Sequence, residues 1–173
     1  MPSQFKLLKK KTLLTSRVYY VRSEKWRGPN GEFTRDTVIH PGAVAIIPFD
    51  SKGRVIMIRQ FRPAAGGWLL EIPAGTLEKG EQPLACAKRE LIEEIGFAAR
   101  TWKKLGAIYT APGFCSELIH LYKASNLKAD FAEKDEDEHI EVVSMSLKQV
   151  KQAIKNGNIC DAKTISAVAY LNI

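Results

Sequence analysis

Alternating hydrophobic and polar positions dominate the first half of this 173-residue chain. A period of two, combined with β-branched and aromatic residues, is typical of strands with one buried face. Turn-forming residues separate the alternating segments, as at Gly28-Pro29-Asn30-Gly31 and Asp50-Ser51-Lys52-Gly53. The pattern predicts strands at Arg17–Arg22, Phe33–His40, Ala43–Phe49, Arg54–Gln60, Trp68–Ile72, Leu105–Thr110, Glu117–Lys123 and Ile140–Ser144.

Helical periodicity appears in three later segments, Pro83–Ile95, Leu147–Asn156 and Ala162–Leu171. Ser146 and Asp161 stand directly before the second and third segments, where their side chains can cap a helix. The order of elements along the chain is strands, one helix, further strands and two helices. This order is typical of an α/β protein. The sequence therefore predicts an α/β/α sandwich, in which helices cover both faces of a mixed β-sheet.

The composition favours one compact domain over residues 1–173. Hydrophobic residues make up 45% of the chain, enough to bury a core, and no internal repeat or linker divides it. The three cysteines are odd in number and lie in apolar patterns, which argues against a disulfide framework and suits a reducing cytoplasm. No apolar run approaches the ~18 residues of a membrane span, so we expect no membrane partner.

Charge is unevenly distributed along the chain, whose formal net charge is +7. Residues 1–62 carry 13 Lys/Arg against 4 Asp/Glu, and residues 63–173 carry 13 against 15, giving +9 and −2. A basic first third attracts polyanions, but charge alone does not distinguish nucleic acid from a polyphosphate substrate. The run Lys9-Lys10-Lys11 is interpreted as a solvated terminal segment.

Three carboxylates crowd one face of the first predicted helix. At about 100° per residue, Glu90, Glu93 and Glu94 fall within roughly 100° of one another. Like charges at this spacing destabilise a helix unless a cation lies among them. Hard oxygen ligands suit Mg2+ or Mn2+. The alternative is a solvated acidic face on which Lys88 and Arg89 pair with the glutamates.

The spacing of this region decides between those alternatives. The pattern G-x5-E-x7-R-E-U-x-E-E-x-G-U, where U is aliphatic or aromatic, is matched by Gly75, Glu81, Arg89, Glu90, Leu91, Glu93, Glu94, Gly96 and Phe97. This is the Nudix box, and the chain resembles Nudix hydrolases from about Phe33 to Ser146 in motif order. The resemblance implies the Nudix fold and hydrolysis of a pyrophosphate bond in a nucleoside diphosphate linked to another group. It also implies a β-region at residues 1–40 used in a homodimer.

The resemblance assigns roles within the box, residue by residue. Divalent metal, Mg2+ or Mn2+, would be bound by Ala74 through its carbonyl, Glu90, Glu93 and Glu94. Glu93 is in addition a catalytic candidate. A structural role in the box goes to Gly75, Glu81, Arg89 and Gly96. An arginine in an acidic helix lowers like-charge repulsion and fixes carboxylate rotamers, which agrees with that role.

Residues upstream of the box resemble the ADP-ribose pyrophosphatase branch of the family. The segments are His40-Pro41-Gly42-Ala43-Val44-Ala45-Ile46, Arg59-Gln60-Phe61-Arg62-Pro63 and Leu70-Glu71-Ile72-Pro73-Ala74-Gly75. We expect Arg62 to bind phosphate, with Arg59 as a second candidate, because a guanidinium matches phosphate oxygens bidentately. The alternative for Arg62 is an exposed arginine at a strand end. For the nucleoside, the resemblance indicates Arg35 and Asp36, completed by the other subunit.

Downstream features point to the same branch. Pro112 lies 16 residues after Gly96, where that branch carries proline, although Pro112-Gly113 also suits an ordinary turn. Gly113 and Glu117 are substrate-binding candidates, and the Glu117 carboxylate is able to bind a metal or a sugar hydroxyl. The acidic segment 133–138 resembles the loop that closes over bound metal in this branch. Its Glu136 and Glu138 are general-base candidates, unless the loop is merely solvated.

The leading prediction is hydrolysis of ADP-ribose to AMP and ribose 5-phosphate by metal-activated water. Within the family, GDP-mannose, UDP-glucose, nucleoside triphosphates, dinucleoside polyphosphates and capped RNA are alternatives, and the Pro112 turn argues against the RNA version. Nucleic acid is therefore not an expected partner. A non-catalytic Nudix-fold binding module is disfavoured, because carboxylates crowded without a metal would only cost stability.

Overall fold

The computed structural model describes residues 4–130 and 140–172. Within these residues the strands are β1 (Lys6–Thr15), β2 (Tyr20–Gly28), β3 (Gly31–Ile39), β4 (Ala43–Pro48), β5 (Arg54–Arg62), β6 (Gly67–Glu71), β7 (Ala74–Thr76), β8 (Phe97–Tyr109), β9 (Leu118–Ala129) and β10 (Ile140–Ser146). The helices are α1 (Pro83–Ile95), α2 (Leu147–Lys155) and α3 (Ala162–Tyr170), and a short 3-10 turn covers Pro63–Ala65.

The chain forms two compact units, which are described separately. The first contains residues 1–42 and 109–118, and the second contains residues 43–108 and 119–173. The first unit includes the 1–40 β-region expected from the sequence. The assignment of one domain to the whole chain stays a prediction.

The first unit is built on an antiparallel sheet of order β1-β2-β3. Gly28 pairs with Gly31 at the end of the β2–β3 hairpin, which confirms the predicted turn. Gly31 has φ +113°, a conformation that L side chains rarely adopt, so glycine suits this position.

The basic N-terminal segment is solvated, as expected, but it forms a strand that the sequence did not predict. Lys9, Lys10 and Lys11 lie inside β1 and pair with Lys25, Glu24 and Ser23 of β2. The strand was missed because most of its side chains are exposed, and a strand without a buried face shows no alternation. The neighbouring strand β2 begins at Tyr20 instead of Arg17, because the Ser16 amide donates to the Tyr19 carbonyl in a turn.

The second unit contains two sheets where the sequence predicted one. One has the order β10-β5-β6 and is antiparallel, and the other has the order β7-β4-β9-β8. The second sheet is mixed as expected, since β4 runs parallel to β9 and antiparallel to β7. Strands β4 and β5 lie in different sheets and are joined by the single bridge Phe49–Val55.

Helices cover both faces of β4, which confirms the α/β/α class. Val44 and Ile46 pack in a cluster with Ala87 and Leu91 of α1. Alternate residues of β4 pack in a second cluster with Val150 of α2 and with Ala167 and Val168 of α3. A strand that is buried on both faces is hydrophobic throughout, as the Ala43–Pro48 sequence is.

The helix boundaries follow local capping chemistry. α1 begins at Pro83, as predicted, and ends where Gly96 adopts a left-handed φ of 72° and donates its amide to Ile92. Ser146 forms a capping box with Gln149 at α2, and the Asp161 side chain accepts from the Thr164 amide at α3. Both predicted caps are confirmed. Of the helices in the described residues, none is long and apolar enough to cross a membrane.

Candidate active site

The first helix brings its carboxylates to the backbone of β7. Cys86, Ala87, Leu91 and Ile95 are buried against the sheet. Strand β7 pairs with β4, placing Ala74 opposite Ala45 and Gly75 opposite Val44. Helix α1 packs on this same part of the sheet. The helix of the box therefore meets β7, the strand that carries Gly75.

Gly75 lies where the Glu90 side chain approaches the backbone closely. A Cβ at this position would collide with the carboxylate carbon and oxygens of the Glu90 side chain. The structural role predicted for Gly75 therefore has a physical reason: only a residue without a side chain leaves space for that carboxylate over the backbone.

Glu94 reaches the neighbouring residue of the same strand. Its Oε2 accepts a hydrogen bond of 2.9 Å from the Ala74 amide, and the residue is only 3% exposed. Two box carboxylates thus lie against consecutive backbone units, Glu94 at Ala74 and Glu90 at Gly75. This juxtaposition brings Glu90 and Glu94, two of the predicted metal ligands, to the strand that carries Ala74.

Arg89 lies among the remaining acids of the box. Its guanidinium donates to both oxygens of Glu81 at 3.1 Å and contacts Glu90 and Glu93, each at 2.8 Å. Hydrogen bonds to Glu81 raise the pKa of Arg89, and those same bonds lower the pKa of Glu81 to about 2. One permanent cation therefore contacts three carboxylates. The structural role of Arg89 stays a prediction.

Cys86 lies beneath this cluster and is chemically inert. Its thiol is 3.6 Å from the Thr76 carbonyl and 3.4 Å from Arg89 Nη2. Burial, followed by the charges of Glu90 and Glu81, raises the pKa of the Cys86 thiol to about 12. The thiol stays protonated at neutral pH and is not a nucleophile.

The donor set at β7 and α1 has the chemistry that a hard divalent cation requires. Carboxylate oxygens and a backbone carbonyl are the ligands that Mg2+ and Mn2+ prefer. Among residues 4–130 and 140–172, however, no three His, Cys, Asp or Glu side chains are grouped so that they could hold a metal ion. Glu90 and Glu93 are instead paired with Arg89. The individual ligand roles stay predictions.

Arg62, the predicted phosphate ligand, forms a bidentate ion pair that the sequence did not indicate. Its Nε and Nη2 donate to the two oxygens of Glu71 at 2.9 and 2.8 Å. Lys163 of α3 also contacts Glu71, and it contacts Asp161 at 3.0 Å. Sequence reasoning missed Glu71 and Lys163. The available signal was a single charge within the apolar run of the predicted strand Trp68–Ile72.

Arg59, the second phosphate candidate, has a different environment. It lies over the Trp68 ring, 5.6 Å from the centroid, and is 3.6 Å from the Glu141 carboxylate. Both members of that ion pair are more than half exposed, so the contact is worth little.

The remaining substrate candidates lie in the first unit. Arg35 packs over the Phe33 ring at 5.2 Å, and Asp36 is exposed on the same strand opposite Ser23. Glu117 accepts a 2.9 Å hydrogen bond from the Thr110 hydroxyl and lies 3.7 Å from His40 Nδ1. Gly113 is exposed within a turn in which the Phe114 and Cys115 amides donate to the Ala111 carbonyl, the ordinary turn that Pro112-Gly113 also suits.

The two general-base candidates, Glu136 and Glu138, lie outside the described residues. Their assignment stays a prediction from the sequence.

Comparisons with known proteins place these features in a family context. Residues 39–168 match the NUDIX domain. The chain is 39% identical to an ADP-ribose pyrophosphatase of Bacillus subtilis (strain 168), over 97% of this chain and 92% of the relative. It is 40% identical to a methanol dehydrogenase activator of Bacillus methanolicus, over 97% of this chain and 95% of the relative. A solved ADP compounds hydrolase superposes with a TM-score of 0.84 at 25% identity, covering 98% of this chain and 93% of that one.

Proposed function

This chain belongs to the Nudix family, and on that premise we propose that it hydrolyses the pyrophosphate bond of a nucleoside diphosphate sugar, with ADP-ribose as the preferred substrate. The observation that carries the proposal is the meeting of Glu90 and Glu94 at the Ala74–Gly75 backbone. It occurs in a chain that resembles an ADP-ribose pyrophosphatase over nearly its whole length. Hydrolysis would yield AMP and ribose 5-phosphate.

We expect the Ala74 carbonyl, Glu90, Glu93 and Glu94 to hold the divalent metal that hydrolases of this family generally need, with Mg2+ or Mn2+ as candidates. A divalent ion bound there would neutralise charge on the phosphates and lower the pKa of a bound water. Burial of Glu94 suits this task, because a carboxylate withdrawn from bulk water interacts more strongly with a cation.

The other residues would bind and orient the substrate or move a proton. Arg62 would donate to a phosphate oxygen, with Arg59 able to add a second, weaker contact. Arg35, Asp36, Gly113 and Glu117 would contribute to the nucleoside and sugar subsites. Glu136, Glu138 or Glu93 would take the proton from the oxygen of the attacking water, a role that typically contributes about 10²–10⁴-fold to the rate.

A substrate panel tests this function. The protein is incubated with Mg2+ and, separately, ADP-ribose, GDP-mannose, UDP-glucose, nucleoside triphosphates or capped RNA, and kcat/KM is ranked. ADP-ribose should rank first and give equal amounts of AMP and ribose 5-phosphate, resolved by chromatography. Orthophosphate or free ADP among the products would contradict cleavage of the pyrophosphate link.

A second candidate function is activation of a methanol dehydrogenase. It is favoured by the 40% identity to the methanol dehydrogenase activator, which matches this chain about as well as the pyrophosphatase does. Addition of the protein to a methanol dehydrogenase assay tests it, with a Glu94→Gln variant as the control. Stimulation by the wild type alone would mean that activation depends on hydrolysis.

The same family premise leads us to propose a cytoplasmic homodimer that uses the 1–40 β-region. Large apolar side chains are exposed on or beside β1 in the first unit, among them Phe5, Leu13 and Leu14. Pairing of this region with a second copy would withdraw these side chains from water. Light scattering coupled to gel filtration should give twice the 19.3 kDa chain mass.

A further inference from the structure

We propose that Glu71 and Lys163 are positioning residues for Arg62, so that helix α3 takes part in orienting the substrate's phosphates. Neither residue belongs to the Nudix box. The inference rests on the proposed function, in which Arg62 binds a phosphate oxygen.

The first step is the geometry of Arg62. Both oxygens of Glu71 are used by Nε and Nη2 of the guanidinium, at 2.9 and 2.8 Å. Two parallel bonds fix the plane of the group and leave Nη1 for another acceptor. The side chain is still 36% exposed, so an anion is able to reach it.

The second step is the burial of Glu71, whose side chain is 1% exposed. Burial alone raises the pKa of this carboxyl, but the hydrogen bonds from Arg62 and the charge of Lys163 outweigh burial and hold the pKa below its usual value. Lys163 itself contacts Asp161 as well as Glu71. Two carboxylates and two cations form a charge-balanced set around the buried Glu71, and loss of either cation leaves negative charge there uncompensated.

The third step is the anchoring of α3 to the strand that carries Glu71. Asp161 caps the helix by accepting from the Thr164 amide at 2.9 Å and from its hydroxyl at 2.6 Å. The Thr164 hydroxyl oxygen in turn accepts from the Ile72 amide at 2.9 Å. The first turn of α3 therefore holds both the Glu71 carboxylate and the backbone of the next residue.

Arg59 lies on β5, as Arg62 does, but no comparable contacts among the described residues fix its side chain. Its side chain is 53% exposed, and its nearest carboxylate, that of Glu141, is 64% exposed at 3.6 Å. A guanidinium on an exposed pair samples many rotamers, whereas Arg62 has lost that freedom before any substrate arrives. Preorganisation of this kind lowers the entropic cost of binding.

A double-mutant cycle separates positioning from a purely structural ion pair. KM and kcat for ADP-ribose are measured for the wild type, Glu71→Gln, Arg62→Ala and the double variant. Glu71→Gln should raise KM about tenfold while kcat changes less than about twofold, the pattern of lost uniform binding. In the Arg62→Ala background the same change should have almost no further effect on KM, because the residue acts through Arg62.

Lys163 supplies a second, independent pair of variants if Glu71→Gln does not fold. Lys163→Met should raise KM severalfold, and Lys163→Arg should restore it, since arginine keeps the cation beside Glu71. Lys163 contacts Glu71 and Asp161 and has no described contact with Arg62, so its effect on KM must pass through the carboxylate.

Two results would overturn the inference. Equal KM increases from Glu71→Gln with and without Arg62, or falls in melting temperature with unchanged KM, would make the set purely structural. If the wild type does not hydrolyse ADP-ribose, the proposed function has failed instead. The wild type and the three variants of the cycle are then titrated with inorganic pyrophosphate by calorimetry, and the same non-additivity in Kd supports positioning while additivity contradicts it.

Discussion

Two arginines in the second unit hold carboxylates in contrasting ways. The Arg89 cluster contains three acids, Glu81, Glu90 and Glu93, around one cation. The Arg62 cluster consists of Arg62, Glu71, Lys163 and Asp161, two acids and two bases. The first has excess negative charge and the second is balanced.

This difference in charge balance indicates different tasks. Carboxylates in excess repel one another, and a further cation relieves this repulsion. Such a cluster suits a metal site whose occupancy can change. A balanced set around a buried carboxylate gains nothing from another ion and loses heavily when one member is removed. The Arg89 cluster therefore suits binding of a divalent ion, whereas the Arg62 cluster suits fixed orientation of one side chain.

The largest expected effect is at the carboxylates themselves. Glu90→Gln or Glu94→Gln keeps the size of the side chain but removes the charge that would hold metal. We expect kcat to fall by about three decades or more, the scale of losing a metal-held nucleophile or transition-state charge. Steady-state kinetics and circular dichroism check this together. Near-normal turnover in folded variants would remove the metal role from Glu90 and Glu94.

Loss of a cation from the Arg62 cluster should lower the stability of the fold. Lys163→Met leaves Glu71 and Asp161 with one cation for two acids, and Glu71 is buried, so we expect a loss of about 3 kcal/mol in the free energy of unfolding. Urea denaturation gives this value. Lys25→Met, which removes one of the two exposed partners of Glu32, is the matched control and should leave stability nearly unchanged. Similar losses in both variants would contradict the contrast between buried and exposed pairs.

Gly75→Ala tests the geometry of the Arg89 cluster without changing its charge. The new Cβ would collide with the Glu90 carboxylate, which must move to a new rotamer. Displacement of one predicted ligand should lower kcat about 10- to 100-fold, since misplacement by about 1 Å can cost 10²-fold. Gly67→Ala is the control, because no atom lies within 4 Å of a Cβ built there. Equal kinetics in the two variants would show that the approach of Glu90 to Gly75 is not needed.

The same contrast explains what the sequence could predict. The acidic partners of Arg89 lie within eight residues along the chain, so helical spacing and the box pattern were sufficient to group them. Lys163 and Glu71 are 92 residues apart, and their contact depends on how α3 packs against the sheet. No local pattern encodes that packing, so Glu71 and Lys163 were missed although Asp161 was recognised as a cap.

The strands show a similar limit. β4 and the caps of α2 and α3 were predicted well, because burial on two faces and capping chemistry are local signals. β1 was missed because its mostly exposed side chains show no period of two. The three-residue strand β7 was missed because it is too short for any periodicity, although it carries two residues of the site, Ala74 and Gly75.

The smallest expected effect concerns the pH dependence of the Arg89 cluster. The Glu81 carboxylate accepts from Arg89 and from the Glu78 amide, and its pKa is lowered from the ordinary 4.5 to about 2. A lowered pKa stabilises the fold above the unfolded-state value, and the contribution is lost as pH falls from about 4.5 towards about 2. Glu81→Gln should therefore be less stable than the wild type near neutral pH, and the difference should shrink through that acidic window. Urea midpoints from about pH 6 to about pH 3 measure it. Glu141→Gln, at an exposed position, should follow the wild-type curve. A stability difference between Glu81→Gln and the wild type that stays constant with pH would contradict this. It would show that Glu81 contributes packing and neutral hydrogen bonds only, and that its attraction to Arg89 does not stabilise the fold.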